Sequence, residues 1–498
     1  MKLKPSIFVL GALLFFTLET AHTQNTPVSF PRLEPDPKAL EYHRLGASGY
    51  TWTDYAEISL WASGDTSLSN LGRIQTAVSS LNSSSELPSA GKERAEFILT
   101  YMHRNILRSY SFYQTRIDAI FTNGGYNCVS SAVLYMILCE SAGIRSSGVI
   151  TKDHAFVMVY IDGQEIDVET TNRYGFDPGN RREFHDQFGR LGFTYVPAQN
   201  YRDRQTISKV QLISMILNNR IADHERQNRY ADSVPVAIDR AALLLGEAFS
   251  SASGITSPET LFEDPGKVIM DRLFNYGASL VRAHREEDGI LWAEAASARY
   301  ADTGRWQEFI MTAVNNRIAR FLRERDSNTT SARNFLESKK SVLTEENYAQ
   351  LDAILADAEL LKRANQIRSP EEGNSVISGV QQARDSGRLT ERRANELIYY
   401  SILKTAAVLC AAPARNWRAA INFIETAVIR FGTNREIEQT LRTYRNNLAA
   451  DYHNRFAAEW NRKNYDQAEL ILNEGLSEFP DDRQLLSDRQ TVNRNRAR

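Results

Sequence analysis

Apolar positions along the chain follow two different periods, and the change between them divides it. From Lys92 onward, Ala95, Ile98, Leu99, Met102, Ile106 and Leu107 recur at helical spacing. The loop "FTNGGYN" follows. Val129, Ala132, Val133, Met136, Ile137 and Glu140 then share one face of a second helix, which starts near Cys128 and stops at Gly143, a glycine suited to the C′ position. Residues 155 to 161 are a continuous apolar run rich in β-branched and aromatic side chains, the pattern of a strand. Asp162-Gly163 is a two-residue hairpin signal, and "QEIDVET" is the return strand. Upstream, "FPRLEPDPKALEYH" reads as Pro-rich extended chain, followed by helix pieces that end in a loop from Ser83 to Gly91. From about Ile207 strand signals nearly vanish, and helix formers and charged residues dominate to the C-terminus.

Within that helical part the chain repeats itself. "NWRAAINFIETAVIRFG" (Asn416 to Gly432) aligns with "NYDQAELILNEGLSEFP" (Asn464 to Pro480), matching Trp417 to Tyr465, Ala420 to Ala468, Val428 to Leu476 and Phe431 to Phe479. "TGRWQEFIMTAVNNRIARF" (Thr303 to Phe321) is a weaker echo, with Phe309 where the alanine should sit. The aligned pattern resembles the tetratricopeptide signature. Its period is 48 residues, against the usual ~34 for that repeat, so the first helix of each unit must be extended. The physical expectation is antiparallel helix pairs, each hiding its apolar face against the next.

Composition excludes more than it assigns. With 59 basic and 61 acidic residues the net charge is -2, which favours neither nucleic acid nor an anionic membrane surface. No P-loop, dinucleotide fingerprint, CxxC or HExxH is present, so no cofactor and no metal are expected. At the N-terminus, Lys2 and Lys4 precede the apolar run Ile7 to Phe16 and a polar stretch, the layout of a secretory signal with cleavage after Thr23. That run is short of the ~20 residues a membrane span needs. The protein is therefore expected to be exported, with membrane contact only through this segment, as a cleaved signal or as an anchor.

Three cysteines in an exported chain do not make a disulfide scaffold. Cys128 and Cys139 share one helix, where eleven steps of ~1.5 Å hold them ~16 Å apart. A disulfide needs Cα atoms within ~7 Å, so this pair cannot close. Cys139 and Cys410 read as packing. Cys128 is different, because a thiolate nucleophile is favoured by a helix N-terminus, whose unpaired N–H groups and dipole stabilise the anion. Asn127 is a suitable N-cap, and the preceding glycines would let a substrate backbone approach.

Such a nucleophile needs a histidine and a group to orient it. His154 stands at the mouth of the strand that follows the cysteine helix. If Ile161 pairs with Gln164 across the turn, the ladder sets Glu169 opposite Phe156 and Thr171 opposite His154. Glu169 is then the diagonal neighbour of His154, at a Cβ separation of ~7 Å. Asp167 lies ~13 Å from the histidine level, which ranks it behind Glu169 as the orienting acid. Gln114, Tyr126 and the Cys128 backbone N–H are the candidate oxyanion donors or supporting groups. "NRYGFDPG" (Asn172 to Gly179) reads as a turn beside the site, with Asp177 as a turn former.

The order of these parts resembles the transglutaminase-like superfamily of papain-type cysteine enzymes. The matching residues are Gly125, Cys128, Ala142-Gly143-Ile144, His154-Ala155-Phe156-Val157, Asp162-Gly163 and Val168-Glu169-Thr170-Thr171. Two departures stand out: Glu169 replaces the family's usual Asp, and Thr170 its Pro. The helices after this region also resemble those of bacterial proteins that fuse such a core to tetratricopeptide-like repeats.

The expected fold is an α+β transglutaminase-like core followed by a mostly α-helical, tetratricopeptide-like array. The expected divisions are a signal over 1–23, a segment of unassigned role over 24–91, the core over 92–200 and the helical region over 201–498, clearest over 400–485. The resemblance implies an exported cysteine enzyme of the periplasm or bacterial cell envelope, with Cys128 as nucleophile, His154 as acid/base and Glu169 as orienter. Hydrolysis of a peptide or amide bond in a protein or envelope substrate ranks above cross-linking. The alternative is a catalytically inactive envelope scaffold that binds partner proteins through its helical repeats.

Overall fold

Asp36 accepts a hydrogen bond from the Lys38 N–H and Pro37 fills the first helical position, so the stretch expected to be extended forms helix α1 (Pro37–Leu45) instead. The computed structural model describes residues 29–152, 154–180, 204–250, 263–324, 328–411, 413 and 415–496. The expected signal over 1–23 lies outside the described residues. Among those described, no helix is long and apolar enough to cross a membrane. The architecture is mostly helical with a small sheet.

Helices α2 (Trp52–Ser63), α3 (Leu71–Asn82) and α4 (Gly91–Asn105) precede a short strand β1 (Ser109–Tyr110) and helix α5 (Ile117–Asn123). Strand β2 (Gly125–Tyr126) pairs parallel with β1 and leads directly into helix α6 (Cys128–Ser141). The start of α6 is locally encoded. The Asn127 side chain accepts from the Ser130 N–H at 3.0 Å, and the Asn127 N–H donates to Ser130 Oγ at 3.0 Å. This reciprocal box makes Cys128 the first helical residue. The end is equally local: Ala142 caps the helix, and Gly143 follows in the left-handed region at φ 74°.

The sequence pattern gives α6 one apolar face, but every side chain from Cys128 to Cys139 is buried. The reason is tertiary. Helices α2, α4 and α5 and the sheet all pack against α6, as does helix α7 (Lys209–Arg226). Its polar side chains are satisfied inside the core. Ser130 Oγ donates to the Gln114 carbonyl at 3.1 Å, and Tyr135 OH donates to the Ala95 carbonyl at 2.9 Å.

The sheet holds four antiparallel strands in the order β5-β4-β3-β6, from β3 (Ser146–Ile150), β4 (Ala155–Ile161), β5 (Gln164–Val168) and β6 (Gln205–Ile207). Asp162 and Gly163 take φ values of 50° and 76°, and Ile161 pairs with Gln164, as a two-residue turn requires. Two features escaped the sequence reading. Strands β3 and β6 were not anticipated, and the β4–β5 ladder ends at Val157–Val168, short of His154 and Glu169. A tight turn joins β3 to β4: the Thr151 N–H donates to the His154 carbonyl at 2.9 Å.

The compact unit around α6 runs to Tyr276 rather than ending at 200. Strand β6 joins the sheet after that point, α7 packs on α6, and helix α8 (Tyr230–Leu245) packs on α7 and α1. Residues 29–90 also belong to this unit, with α2 packing on α6. The boundary between the two compact units falls within helix α9 (Pro265–Arg282).

The second unit, from Gly277, is helical among its described residues: α10 (Glu286–Arg299), α11 (Thr303–Arg323), α12 (Thr329–Ser338), α13 (Glu345–Asn365), α14 (Pro370–Asp385) and α15 (Glu391–Leu409) lead to α16 (Trp417–Phe431). Helices α17 (Arg435–Asn461), α18 (Tyr465–Glu478) and α19 (Arg483–Arg496) follow, and sequence neighbours pack on one another. The 48-residue period has its physical source in α17, a 27-residue helix between the two aligned stretches. Ala420 and Ala468 are both fully buried, one in each of two apolar clusters that meet along α16. Their small size lets the neighbouring helix approach.

Leu134 is fully buried in α6. Replacing it with alanine is expected to cost about 2–5 kcal/mol, through lost transfer energy and the cavity left behind. A lowered urea midpoint of unfolding is the measurement.

Candidate active site

Three chain segments meet at the N-terminus of α6. The first is the start of α6 itself, the second the β3–β4 turn that ends at His154, and the third the turn that begins where β5 leaves the sheet. His154 Nε2 and Glu169 Oε2 lie 2.6 Å apart. Cys128 is the other neighbour of the His154 ring, close enough to interact with it electrostatically. Cys128 and His154 each retain 9% of their surface and Glu169 retains none. Cysteine, histidine and glutamate thus form one contiguous, nearly dry cluster.

Glu169 reaches His154 by leaving the ladder rather than by facing it diagonally. Its N–H donates to the Gly175 carbonyl at 2.7 Å, which folds residues 169–175 into a compact turn. Its second oxygen is held within that turn, accepting from the Thr171 N–H at 3.1 Å and from Thr171 Oγ1 at 2.6 Å. One carboxylate oxygen therefore serves the histidine and the other fixes the rotamer. That fixation takes up the freedom of the extra methylene a glutamate has over an aspartate. Gly175 is required sterically: an added Cβ would sit 2.0 Å from the Glu169 carbonyl oxygen.

The turn is tied to the rest of the unit by groups that the sequence pattern did not single out. Ser131 Oγ and Thr170 Oγ1 share a hydrogen bond of 2.9 Å, which links the first turn of α6 to the Glu169 segment. His103 Nε2 lies 3.0 Å from the Thr170 carbonyl. Burial pulls the His103 pKa down to about 4, so at neutral pH the ring is uncharged and donates to that carbonyl. Tyr110 packs edge-on against Tyr126 at 5.7 Å. Burial, and then the charges of Cys128 and Glu169, push its phenol far above the ordinary value, so it stays protonated beside them. Only the position of His103 four residues after Leu99, on the apolar face of α4, hinted at an inward-facing side chain.

The other candidates have other partners. Asp167 forms a bidentate pair with Arg204, at 2.8 and 2.6 Å, and is not the acid on His154. The pleat explains this: two residues before Glu169, Asp167 still belongs to the ladder, opposite Met158. Tyr126 OH donates to the Thr171 carbonyl at 3.4 Å, which commits the hydroxyl to the Glu169 turn and away from an oxyanion role. The Gln114 carbonyl receives Ser130 Oγ, and its Cγ packs over Gly125. Gly124 and Gly125 do not form an open approach for substrate. Gly124 closes α5 at φ 76°, and a Cβ there would fall 2.2 Å from Arg108 Cγ. Asp177 takes φ 50° and its N–H donates to the Asp167 carbonyl at 3.0 Å, within a turn. Cys128, Cys139 and Cys410 are all free thiols, and burial pushes the Cys139 thiol up to about 12.

The electrostatics of the cluster favour charge on both partners. Burial disfavours the imidazolium, but the Glu169 carboxylate, with the neighbouring Cys128, outweighs it and raises the His154 pKa to about 11. Burial likewise opposes the Glu169 charge, yet His154 and the two Thr171 donors hold its pKa below 4.5. A cavity of about 470 Å³ along α4, which includes Phe97 and Tyr101, and another of about 460 Å³ among α12, α13 and α14 do not border Cys128. No family model, curated protein or solved structure matches the chain.

The two shifts give the ion pair a stability window. The raised histidine pKa adds stability that is full below 6.5 and is lost as pH climbs towards about 11. The lowered glutamate pKa adds stability that is full above 4.5 and is lost as pH falls through its depressed value. The stability difference between the wild type and Glu169→Gln is therefore expected to be largest between pH 4.5 and 6.5, measured as urea midpoints across pH. Gly175→Ala is expected to destabilise the same unit by about 1–3 kcal/mol and to displace Glu169, seen as an altered histidine titration in NMR spectra.

Proposed function

We propose that the chain is an exported cysteine enzyme of the transglutaminase-like type that cleaves an amide or peptide bond through a thioester. The observation that carries this reading is the buried Glu169–His154 contact of 2.6 Å on a histidine ring that interacts electrostatically with Cys128, the first residue of a helix. Structural cores rarely bury a thiol, an imidazole and a carboxylate in series, and nucleophilic catalysis needs that order. Export rests on the basic and apolar residues of 1–23.

With Nε2 taken by the carboxylate, Nδ1 is the nitrogen that exchanges a proton with the thiol. In the reactive form the Cys128 proton resides on the ring, as an imidazolium stabilised by Glu169. The thiolate attacks the carbonyl carbon, and its charge appears on the carbonyl oxygen, next to the first amides of α6. The imidazolium then returns its proton to the leaving amine as the C–N bond breaks, leaving a thioester. Water, deprotonated by the neutral ring, attacks the thioester, releasing the acid and restoring the thiol. An amine in place of that water would give transfer instead of hydrolysis.

A second reading has its own observation. The cluster is nearly closed to solvent, with no surface left on Glu169 and little on Cys128. An inactive scaffold that retains the cluster as core and binds partner proteins through α15 to α19 fits that burial. Thiol reactivity separates the two. In the full chain, Cys128 is expected to react with iodoacetamide at pH 7 at least about tenfold faster than Cys139, with His154→Ala suppressing the Cys128 rate. Mass spectrometry of the alkylated peptides gives both rates. Equal, slow labelling of the two cysteines overturns the enzymatic reading.

A further inference from the structure

Large apolar side chains exposed on the described residues of the first unit are few: Leu45, Phe112 and Tyr113. Phe112 and Tyr113 are adjacent in sequence, each 62% exposed, and their rings meet edge to face at 5.2 Å. They stand on the segment between β1 and α5, which is fastened to the start of the cysteine helix. The Ser111 N–H donates to the Tyr126 carbonyl at 2.8 Å. Asn127 Nδ2 donates to the Phe112 carbonyl at 3.1 Å, and Ser130 Oγ donates to the Gln114 carbonyl at 3.1 Å. The residues flanking Cys128 on both sides therefore hold this loop. At its far end, Asn219 Nδ2 donates to Thr115 Oγ1 at 3.1 Å, and the Ile117 N–H donates to Ser63 Oγ at 2.8 Å. The Arg226 guanidinium lies 4.0 Å from the centre of the Tyr113 ring.

The backbone of this loop is thus spent on holding the nucleophile's helix cap while its two rings point outward. Rigidly mounted aromatic rings kept in water forgo the burial that folding would give them, and a bound apolar group recovers it. We propose that Phe112 and Tyr113 form the specificity contact of the site, taking a bulky apolar side chain, aromatic or large aliphatic, of a peptide substrate next to the scissile amide. The inference rests on the cysteine-enzyme reading above. Two rings set at 88° present an apolar corner that suits a flat or branched side chain and offers nothing to a small polar one. The occupant is a substrate and not a structural partner because the loop that carries the corner is held by Asn127, the residue just before the thiol.

The test uses the full chain and two dipeptidyl vinyl sulfones that differ only in the residue beside the electrophile, phenylalanine or serine. Each inactivation rate is divided by the rate with iodoacetamide, which carries no side chain for the rings to hold. Wild type is expected to prefer the phenylalanine probe by about tenfold. Phe112→Ser with Tyr113→Ser should bring the ratio close to one, while Phe112→Leu with Tyr113→Phe, which keeps the apolar corner, should retain it. Circular dichroism melts confirm that both variants fold. A wild type without preference, or a preference that survives the serine pair, overturns the inference, as does a dimer in sedimentation that the serine pair dissolves, since a second copy would then cover the rings. If Cys128 reacts no faster than Cys139 with iodoacetamide, the enzymatic reading itself falls. A fast Cys128 with equal probe rates sinks only the specificity contact.

Discussion

A carboxylate with no exposure to water has to be neutralised where it stands, and that requirement organises the first unit of this protein. Glu169 spends one oxygen on His154 and the other on Thr171, so every strong acceptor site of the buried charge faces a donor. The arrangement requires the chain to turn sharply after Val168, which only a glycine at 175 permits. It also requires His154 to end a tight turn rather than sit within a strand. Both turns are consequences of the ion pair as much as causes of it.

The same charge reaches outward to the helix that Cys128 opens. Ser131 and Thr170 join the first turn of α6 to the glutamate segment, while Tyr126 and His103 hold the carbonyls of Thr171 and Thr170. Asn127 does two tasks at once, capping α6 with its oxygen and gripping the Phe112 loop with its amide nitrogen. The start of α6, the imidazole, the carboxylate and the aromatic loop are thus connected by hydrogen bonds that span four separate stretches of chain. A displacement at any one of them is felt at the others, because few of the groups have a second partner to fall back on in a dry interior.

The helical second unit answers to a different constraint. Each helix carries an apolar stripe that its sequence neighbours cover, so stability is built locally and repetition is tolerated. Helix α16 illustrates this, giving Ala420 and Ile424 to one cluster and Ile421 to the next. The long α17 lengthens the repeat without breaking that scheme, since helix length along the axis leaves the lateral contacts intact.

Local chemistry was legible in the sequence because its causes lie within a few residues. The Asn127 cap, the Gly143 stop and the Asp162-Gly163 turn placed Cys128 at a helix start and set the hairpin register, and that register favoured Glu169 over Asp167. The stacked helices after residue 400 were visible for the same reason, as periodicity. What tertiary structure alone decided are the contacts between distant segments. They include the burial of α6 on all sides, the strands β3 and β6 and the extension of the first unit to Tyr276. They also include the withdrawal of Glu169 from the ladder onto Gly175, and the hold of His103 on a carbonyl 67 residues away. Such contacts leave no mark on local periodicity, because any small, polar or apolar residue of the right size satisfies the local rule. Only the packed interior distinguishes a serine that caps a turn from one that ties the Cys128 helix to the Glu169 segment.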